Sequence, residues 1–395
     1  MNRPTLEVAD IIRQHGKDFI ESNRSWLSWQ QLKALRAIER CRTAALGGHL
    51  DRCSRCGHRA ISYNSCRNRH CPKCLTNARD RWLADRQKEL LNVGYFHVVF
   101  TLPHELSGLA LHNPKIVYQL LFQTSAETLL EIAADAKHLQ AQLGFLSVLH
   151  TWGQRLDHHP HVHCVIPAGG LSADGLRWIH PRYAFFLPVK VLSRVFRGKF
   201  VAALKRVFRA GKLVFPGRLQ ASASERAFAG FLWALLRKDW VVYAKPPFGG
   251  PEHVLHYLAR YTHRVAISNH RLLGLEDGQV AFRWKDYAHG GKKRKMTVSA
   301  HEFLRRFLLH VLPKGFVRIR FFGFLANRRR GKQLAQCQRL LATGPKTRPS
   351  AGQAQPRDCA WPCPLCGGPM MVVERLTAEQ VAVQSVGLRS FDDTS

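Results

Sequence analysis

Apolar residues in four parts of the chain recur at the spacing of one helix face. Residues 4–46 are predicted to form two helices, and Ser28 with Gln31 can form a capping box at the start of the second helix. The other helical patterns occupy the ranges 114–143, 191–208 and 228–236. These stretches form the helical layer of the predicted fold.

Four other stretches are apolar without helical spacing and predict buried strands. They occupy the ranges 95–102, 144–152, 161–167 and 240–244. The order strand, helix and then two consecutive strands predicts an α+β fold, an α/β sandwich with a central antiparallel sheet. A later hairpin is predicted over 279–298, around a basic tip that runs from His289 to Lys295.

The charge of the chain narrows its possible partners. Of 395 residues, 60 are basic and 27 are acidic, which gives a formal net charge of +33. A basic surplus of this size predicts a polyanionic partner, and DNA is favoured over a membrane surface. The longest apolar run, Ala227–Leu236, is too short to cross a bilayer, and the N-terminus lacks a signal-peptide pattern. We therefore expect a cytoplasmic, DNA-associated protein with no membrane partner.

Cysteine spacing predicts a metal site, since three C-x-x-C pairs are present and a reducing compartment disfavours disulfides. The first two pairs have the spacing of a closed, tetrahedral, structural zinc site. They are Cys53, Cys56, Cys71 and Cys74. His58, Cys66 and His70 lie close in sequence, and they can replace one of these four ligands or bind a second ion.

The third cysteine pair, Cys363 and Cys366, has the pattern of half a zinc knuckle. Cys359 is a candidate third ligand, and Cys337 or a distant histidine can complete the site. A degenerate site is an equally good interpretation. Residues 343–395 are therefore predicted to be a linker and a cysteine-containing tail.

His161 and His163 lie two residues apart on a predicted strand, so both imidazoles point to the same face. Two neutral imidazoles on a rigid strand form half of a metal site. An H-x-H is expected about once by chance in a chain with this histidine content, so the motif alone is weak. Four nearby histidines are interpreted as core or DNA-facing residues rather than ligands: His97, His150, His158 and His159.

A second candidate feature is the tyrosine pair Tyr257 and Tyr261, which are four residues apart and would share a helix face. Alone, such a pair is ordinary helix packing. Two cations, Arg260 and Arg264, flank it and would favour an ionised phenol.

Together these motifs resemble the HUH two-tyrosine transposases of rolling-circle insertion sequences, which are relatives of Helitrons and of rolling-circle replication initiators. Five segments match in family order within a region that spans roughly Cys53 to Leu341. They are SCRNRHCPKC, YFHVVFTLPHEL, TWGQRLDHHPHVHCVIPAGGL, YLARYTHRVAISNHR and FFGFLANRRR. The order of five segments makes the resemblance strong where the bare H-x-H is weak.

The resemblance implies an HUH-type sandwich, an N-terminal zinc-binding domain and cleavage of single DNA strands through a 5′-phosphotyrosine. Tyr257 and Tyr261 would be the nucleophiles. A catalytic Mg²⁺ or Mn²⁺ would be held by His161, His163 and Gln154. Asp157 or His158 can take the place of Gln154.

Several cations are predicted to contact DNA. Arg67 and Arg69 lie in the cysteine-rich module, Arg260 and Arg264 flank the tyrosines, and the hairpin carries Lys292, Lys293, Arg294 and Lys295. Cations beside aromatic side chains are typical of single-strand binding. A solvated hairpin tip remains the alternative for the last group.

Four segments are predicted: N-terminal helices over 1–50, a zinc-binding DNA-recognition module over 51–92, an HUH nuclease over 93–342, and a tail over 343–395. Three other functions compete with transposition. A replication initiator or relaxase would use the same site, and a non-catalytic zinc protein would explain the charge and cysteines but not the tyrosine pair. A metallohydrolase would need acidic ligands, which are scarce around His161.

Overall fold

The computed structural model describes residues 4–181, 187–248, 266–342 and 361–384, together with Val254 and Ser390–Phe391. The chain divides into two compact units. The cysteine unit comprises 1–78, 267–311 and 347–395, and the histidine unit comprises 79–266 and 312–346. The boundaries expected at 50, 92 and 342 stay predictions, and the units do not follow them, since 267–311 groups with the cysteine unit.

The helices predicted from apolar spacing are present. Over the described residues the helices are α1 (Val8–Ser22), α2 (Trp29–Glu39), α3 (Pro72–Gln87), α4 (Ser107–His112), α5 (Pro114–Ala134), α6 (Val189–Arg209), α7 (Glu225–Leu236), α8 (Ala300–Leu308), α9 (Asn327–Ala342) and α10 (Ala378–Gln384). The predicted capping box is formed: Gln31 N–H donates to Ser28 Oγ at 3.4 Å, and Ser28 N–H donates to Gln31 Oε1 at 2.8 Å. None of the helices in the described ranges is long and apolar enough to cross a membrane.

The predicted strands are also present, with shifted ends. The described strands are β1 (Gly48–Cys53), β2 (Arg59–Tyr63), β3 (Tyr95–Thr101), β4 (Gly144–Trp152), β5 (His158–Pro167), β6 (Gly170–Leu171), β7 (Trp178–Ile179), β8 (Val242–Phe248), β9 (Leu272–Glu276), β10 (Gln279–Asp286), β11 (Lys292–Ser299), β12 (Ile319–Gly323), β13 (Met370–Leu376) and β14 (Ser390–Phe391). The predicted α+β class is confirmed.

The histidine unit is built on one five-stranded sheet. Its strand order is β12-β4-β5-β3-β8, and each neighbouring pair is antiparallel. Strand β5 is therefore the central strand, with β4 and β3 on its two sides. The central position matters because both edges of β5 are hydrogen-bonded, which holds its side chains in a fixed register.

The two faces of β5 differ in chemistry. Val162, Cys164 and Ile166 point into the main apolar core, where they pack with residues of α5 and α6. His161 and His163 alternate with them and so point to the opposite face. Burial of the apolar face thus fixes the direction of both imidazoles, because a slip of one residue would place them in the core.

The cysteine unit contains a four-stranded sheet of order β13-β1-β2-β14 and a three-stranded sheet of order β11-β10-β9. Strand β13 pairs antiparallel with β1 over their full lengths, from Cys53 opposite Met370 to Gly48 opposite Leu376. The segment after 343 was predicted to be a linker and tail. Its described part instead supplies two strands, β13 and β14, and the helix α10 to the cysteine unit.

Candidate metal and DNA-processing sites

Three histidines of the histidine unit come together on one sheet face. His161 lies directly opposite His150 of β4 in the strand register. One ring nitrogen from each of His150, His161 and His163 can be chosen so that all lie within 4.8 Å of one another. The interpretation of His150 as a core residue was therefore incomplete, because it is a candidate third ligand beside the H-x-H pair.

Hydrogen bonds orient the two histidines of the motif. The Nδ1 atom of His161 lies 2.7 Å from the carbonyl oxygen of His159, so this nitrogen carries a proton and Nε2 keeps its lone pair. The Nδ1 atom of His163 lies 2.8 Å from Nε2 of the buried His97. In both residues Nε2 is the atom that can bind an ion.

Burial keeps these imidazoles neutral. Desolvation lowers the pKa of His161 to about 4 and the pKa of His97 to about 3. Desolvation, followed by the neighbouring imidazoles, also lowers the pKa of His163 well below its usual value. A metal ion requires the neutral form of histidine, so at neutral pH the cluster needs no deprotonation before it binds one.

The alternatives to Gln154 can be placed. Gln154 lies half-buried in the turn between β4 and β5, and its role as a ligand stays a prediction. His158 directs Nε2 to the hydroxyl of Tyr118 on α5, at 2.8 Å, so it faces the helical layer. Asp157 is exposed in the same turn as Gln154.

The predicted tyrosine motif lies outside the described residues. The structure does not describe either tyrosine or the flanking cations, which are Tyr257, Tyr261, Arg260 and Arg264. The nearby Val254 is described: it is fully buried and packs in one cluster with Val148 and Val165. Val148 is opposite His163 in the register, so this cluster lies on the same sheet face as the histidines.

The predicted grouping of four cysteines is wrong. Cys53 and Cys56 do not lie with Cys71 and Cys74; each pair belongs to a different cluster of four thiols. The Cys41 cluster consists of Cys41, Cys66, Cys71 and Cys74, and the Cys363 cluster consists of Cys53, Cys56, Cys363 and Cys366. The C-x-x-C spacing identified ligand pairs, but no local signal indicated which pairs share an ion.

The Cys41 cluster is drawn from one continuous stretch of chain. Cys41 follows α2, Cys66 lies in the loop after β2, and Cys74 lies in the first turn of α3. The sulfur of Cys74 is 3.5 Å from those of Cys41 and Cys66. Sulfurs bound to one tetrahedral zinc at about 2.3 Å would be about 3.8 Å apart, so this donor set fits zinc.

The other nearby candidates do not join these clusters. His70 Nδ1 is 3.2 Å from Asn68 Oδ1, and neither His58 nor His70 belongs to a metal-type group in the described part of the chain. Cys337 is buried in an apolar cluster on α9. Cys359 lies outside the described residues.

The predicted DNA-contacting cations that are described are all exposed. Arg67 and Arg69 follow Cys66 in the same loop, and Lys292, Lys293 and Lys295 lie on β11. Arg294 is also exposed but forms an ion pair with Asp286, Nε to Oδ2, at 2.8 Å. This pairing reduces the charge that Arg294 can offer to a phosphate.

Comparison with known proteins finds transposases and a zinc-binding domain. A family model described as a putative transposase matches residues 144–333, and one described as a transposase zinc-binding domain matches 11–102. A putative transposase, y4qJ of Sinorhizobium fredii, is 57% identical over 341 residues, which are 86% of this chain and 85% of the relative. No solved structure matches the chain.

A second relative extends the comparison over nearly the whole chain. The transposase for insertion sequence element IS801 of Pseudomonas savastanoi pv. phaseolicola is 28% identical over 396 residues, 95% of this chain and 92% of the relative. The family models and the relatives define the class as a transposase, and the structure adds candidate metal sites. The chain belongs to the two-tyrosine transposase family of insertion sequences, with an N-terminal zinc-binding domain, as its motifs predicted.

Proposed function

We propose that this transposase cleaves and rejoins single DNA strands by metal-assisted attack of a tyrosine, in rolling-circle transposition. The observation that carries the proposal is the cluster of His150, His161 and His163 on two paired strands. Family membership supplies the reaction class, and the cluster supplies a place for an ion at the scissile phosphate. The proposal has two further components. They are the predicted nucleophiles Tyr257 and Tyr261 and the cations that are predicted to contact DNA.

The donor set fits a divalent ion. When bound, Mg²⁺ or Mn²⁺ would polarise the scissile phosphate and neutralise its charge. Three imidazole nitrogens are softer donors than carboxylates, so His150 as third ligand favours Mn²⁺. Gln154 as third ligand would supply a carbonyl oxygen and suit Mg²⁺ equally well.

The tyrosines would supply the nucleophile. The phenol would lose its proton to solvent and its oxygen would attack phosphorus; the bond between phosphorus and the 3′ oxygen would break, and that oxygen would take a proton from solvent to leave as a 3′-OH. The product is a 5′-phosphotyrosine that conserves the bond for rejoining. A free phenol has a pKa of about 10, so Arg260 and Arg264 are proposed to favour its ionised form.

Two tyrosines allow strand exchange. Tyr257 and Tyr261 are four residues apart in sequence, so on a helix they would share one face, and one could hold the first strand while the other cleaves a second. Val254, three residues before Tyr257 in sequence, packs on the histidine side of the sheet, and this position supports the proposal.

The test is an adduct assay with the full-length protein. Labelled single-stranded DNA from the ends of the element is incubated with Mn²⁺ or Mg²⁺, and SDS-resistant protein–DNA adducts are counted. We expect an adduct in wild type and in each single variant, Tyr257→Phe and Tyr261→Phe. It should disappear in the double variant and with EDTA.

A matched control is Tyr243→Phe, which changes an exposed tyrosine of β8 and should leave the adduct unchanged. An adduct that persists in the double variant would contradict the proposal and indicate another nucleophile. No adduct from wild type, with DNA binding intact, would favour the non-catalytic zinc protein.

A further inference from the structure

Two short cysteine loops from opposite ends of the chain face each other in the cysteine unit. The first is Cys53–His58 and the second is Cys363–Gly368. The sulfur of Cys53 is 3.5 Å from that of Cys366, and the sulfur of Cys56 is 3.6 Å from that of Cys363. These separations are far longer than a disulfide bond and close to the edge of a zinc–sulfur tetrahedron, about 3.8 Å.

The two loops have the same internal hydrogen bonds. Gly57 N–H donates to the Cys53 carbonyl at 3.1 Å, and Gly367 N–H donates to the Cys363 carbonyl at 2.8 Å. Cys53 N–H donates to the His58 carbonyl at 2.8 Å, and Cys363 N–H donates to the Gly368 carbonyl at 2.7 Å. The two loops are far apart in sequence, yet they share the same backbone conformation. In each loop a glycine in the left-handed region follows the second cysteine.

Backbone donors point at the sulfurs. Arg55 N–H donates to Cys53 Sγ at 3.4 Å, and Gly368 N–H donates to Cys366 Sγ at 3.4 Å. Such bonds stabilise the charged thiolate, which is the form that binds a metal. Each loop therefore contributes a pre-formed pair of ligands.

Gly368 is required for the close approach of the loops. A Cβ at this position would lie 2.9 Å from Arg55 Cβ and 3.2 Å from Cys53 Sγ. No L side chain fits such a gap without moving one loop away from the other. The backbone is thus shaped to bring the two cysteine pairs together.

Contacts around the loops hold the same two segments. Ser54 N–H donates to the Pro369 carbonyl at 3.1 Å, and Arg55 Nη1 donates to the Cys366 carbonyl at 3.4 Å. Beyond the cysteines, β1 and β13 continue as an antiparallel pair. The cluster therefore lies at one end of a strand pair that joins residues more than 300 positions apart.

We propose that Cys53, Cys56, Cys363 and Cys366 bind a second structural zinc ion, which fastens the C-terminal segment to β1. The zinc-binding family model covers residues 11–102, so it includes only half of this ligand set. The C-terminal segment is then an integral part of the zinc-binding module rather than an appendage. The proposal is independent of the tyrosine chemistry.

Zinc stoichiometry of the full-length protein is the first test. Native mass spectrometry and elemental analysis should give two zinc ions per chain for wild type and one for Cys363→Ser/Cys366→Ser. Cys53→Ser/Cys56→Ser should also give one. The control Cys359→Ser should keep two, because that cysteine is a ligand only if the C-terminal segment forms its own site.

A second measurement needs no variant, so it remains informative if a variant fails to fold. Wild-type protein is alkylated with iodoacetamide before and after removal of zinc, and the modified cysteines are mapped by mass spectrometry. Cys56 is exposed, yet it should be protected together with Cys363 and Cys366 while zinc is bound. All three should react after zinc is removed.

Hydrogen exchange tests whether the zinc ion holds the C-terminal segment against β1. Loss of the ion should increase amide exchange in both β1 and β13 and leave the five-stranded sheet unchanged. One zinc ion in wild type, or two in Cys363→Ser/Cys366→Ser, would overturn the proposal. Loss of one ion in Cys359→Ser, with two kept in Cys53→Ser/Cys56→Ser, would overturn it as well.

Discussion

The histidine cluster and the two cysteine clusters differ in the number of ligand atoms that they offer a metal ion and in where along the chain those atoms come from. His150, His161 and His163 come from two adjacent strands, within fourteen positions of sequence. Each cysteine cluster instead gathers four thiols, and the Cys363 cluster gathers them from both ends of the chain. Four sulfurs complete a tetrahedron, whereas three nitrogens leave positions open.

Only a site with open coordination positions can act on a substrate. A closed thiolate site excludes substrate and contributes folding free energy. A three-nitrogen site on a rigid sheet can admit phosphate oxygens without rearranging the protein. Variants that remove one kind of site and leave the other intact test this contrast directly.

Removal of the histidine cluster should change activity more than any other variant considered. His161→Ala/His163→Ala should lower adduct formation on the order of 10³-fold, since a metal ion supplies several kcal/mol of transition-state stabilisation. The rate of adduct formation is measured beside zinc content. Zinc content should stay at the wild-type value, and its loss together with activity would contradict the separation of the sites.

A smaller effect is expected from His97, which contacts His163 and would position it without binding the ion. If His163 binds through Nε2, its Nδ1–H must donate to His97 Nε2. His97→Phe should weaken Mn²⁺ binding roughly 10- to 100-fold, as is usual when a hydrogen-bond partner of a ligand is removed.

Electron paramagnetic resonance of free Mn²⁺ measures this affinity. His97→Gln keeps a hydrogen-bonding side chain and should lose less affinity than His97→Phe. The exposed His112 at the end of α4 offers a control, since His112→Gln should have no effect. Equal Mn²⁺ affinity in wild type and His97→Phe would remove the positioning role.

The same contrast explains how far the sequence was informative about the sites. The H-x-H pair was predictable because alternation along one strand places His161 and His163 on one face. His150 was not, because its distance from His161 depends on the register between β4 and β5. Cys41 carried no spacing signal, since it has no C-x-x-C partner.

The secondary structure shows the same contrast: some elements are predictable from their own sequence, and others depend on contacts with distant parts of the chain. Helices α1, α2 and α6 were predictable because each carries its own apolar period, and strands β3 and β4 because each is a nearly continuous apolar run. Strand β13 was not, because its exposed Met371, Val372 and Val373 do not alternate with buried residues. Its place is determined by pairing with β1, a contact across most of the chain.

Gly368→Ala tests the close approach of the two cysteine loops in the Cys363 cluster. The added methyl group must separate the two loops, at a cost of about 1–3 kcal/mol for overpacking. One of the two zinc ions should therefore be released at lower chelator concentration than in wild type, as followed by a colorimetric zinc indicator. Gly331→Ala, at an open position on α9, should release zinc as wild type does.

Variants of the basic hairpin β10–β11 should change DNA binding only slightly. Lys293 lies opposite Lys285 in the register, and an anion bound there would relieve the repulsion between them. Arg294 is already paired with Asp286. If the hairpin contacts a DNA strand, Lys293→Ala should reduce the slope of log affinity against log salt by about 0.7, the value for one phosphate contact on single-stranded DNA.

Arg294→Ala is the matched control for this prediction. Its guanidinium is partly neutralised by Asp286, so its removal should change the salt slope less than removal of Lys293. Fluorescence anisotropy of labelled single-stranded DNA across a salt series measures both slopes. Equal slopes for wild type and Lys293→Ala would indicate that the hairpin is a solvated surface and that other cations contact the DNA. Arg67 and Arg69, which are exposed beside Cys66, would then be the candidates.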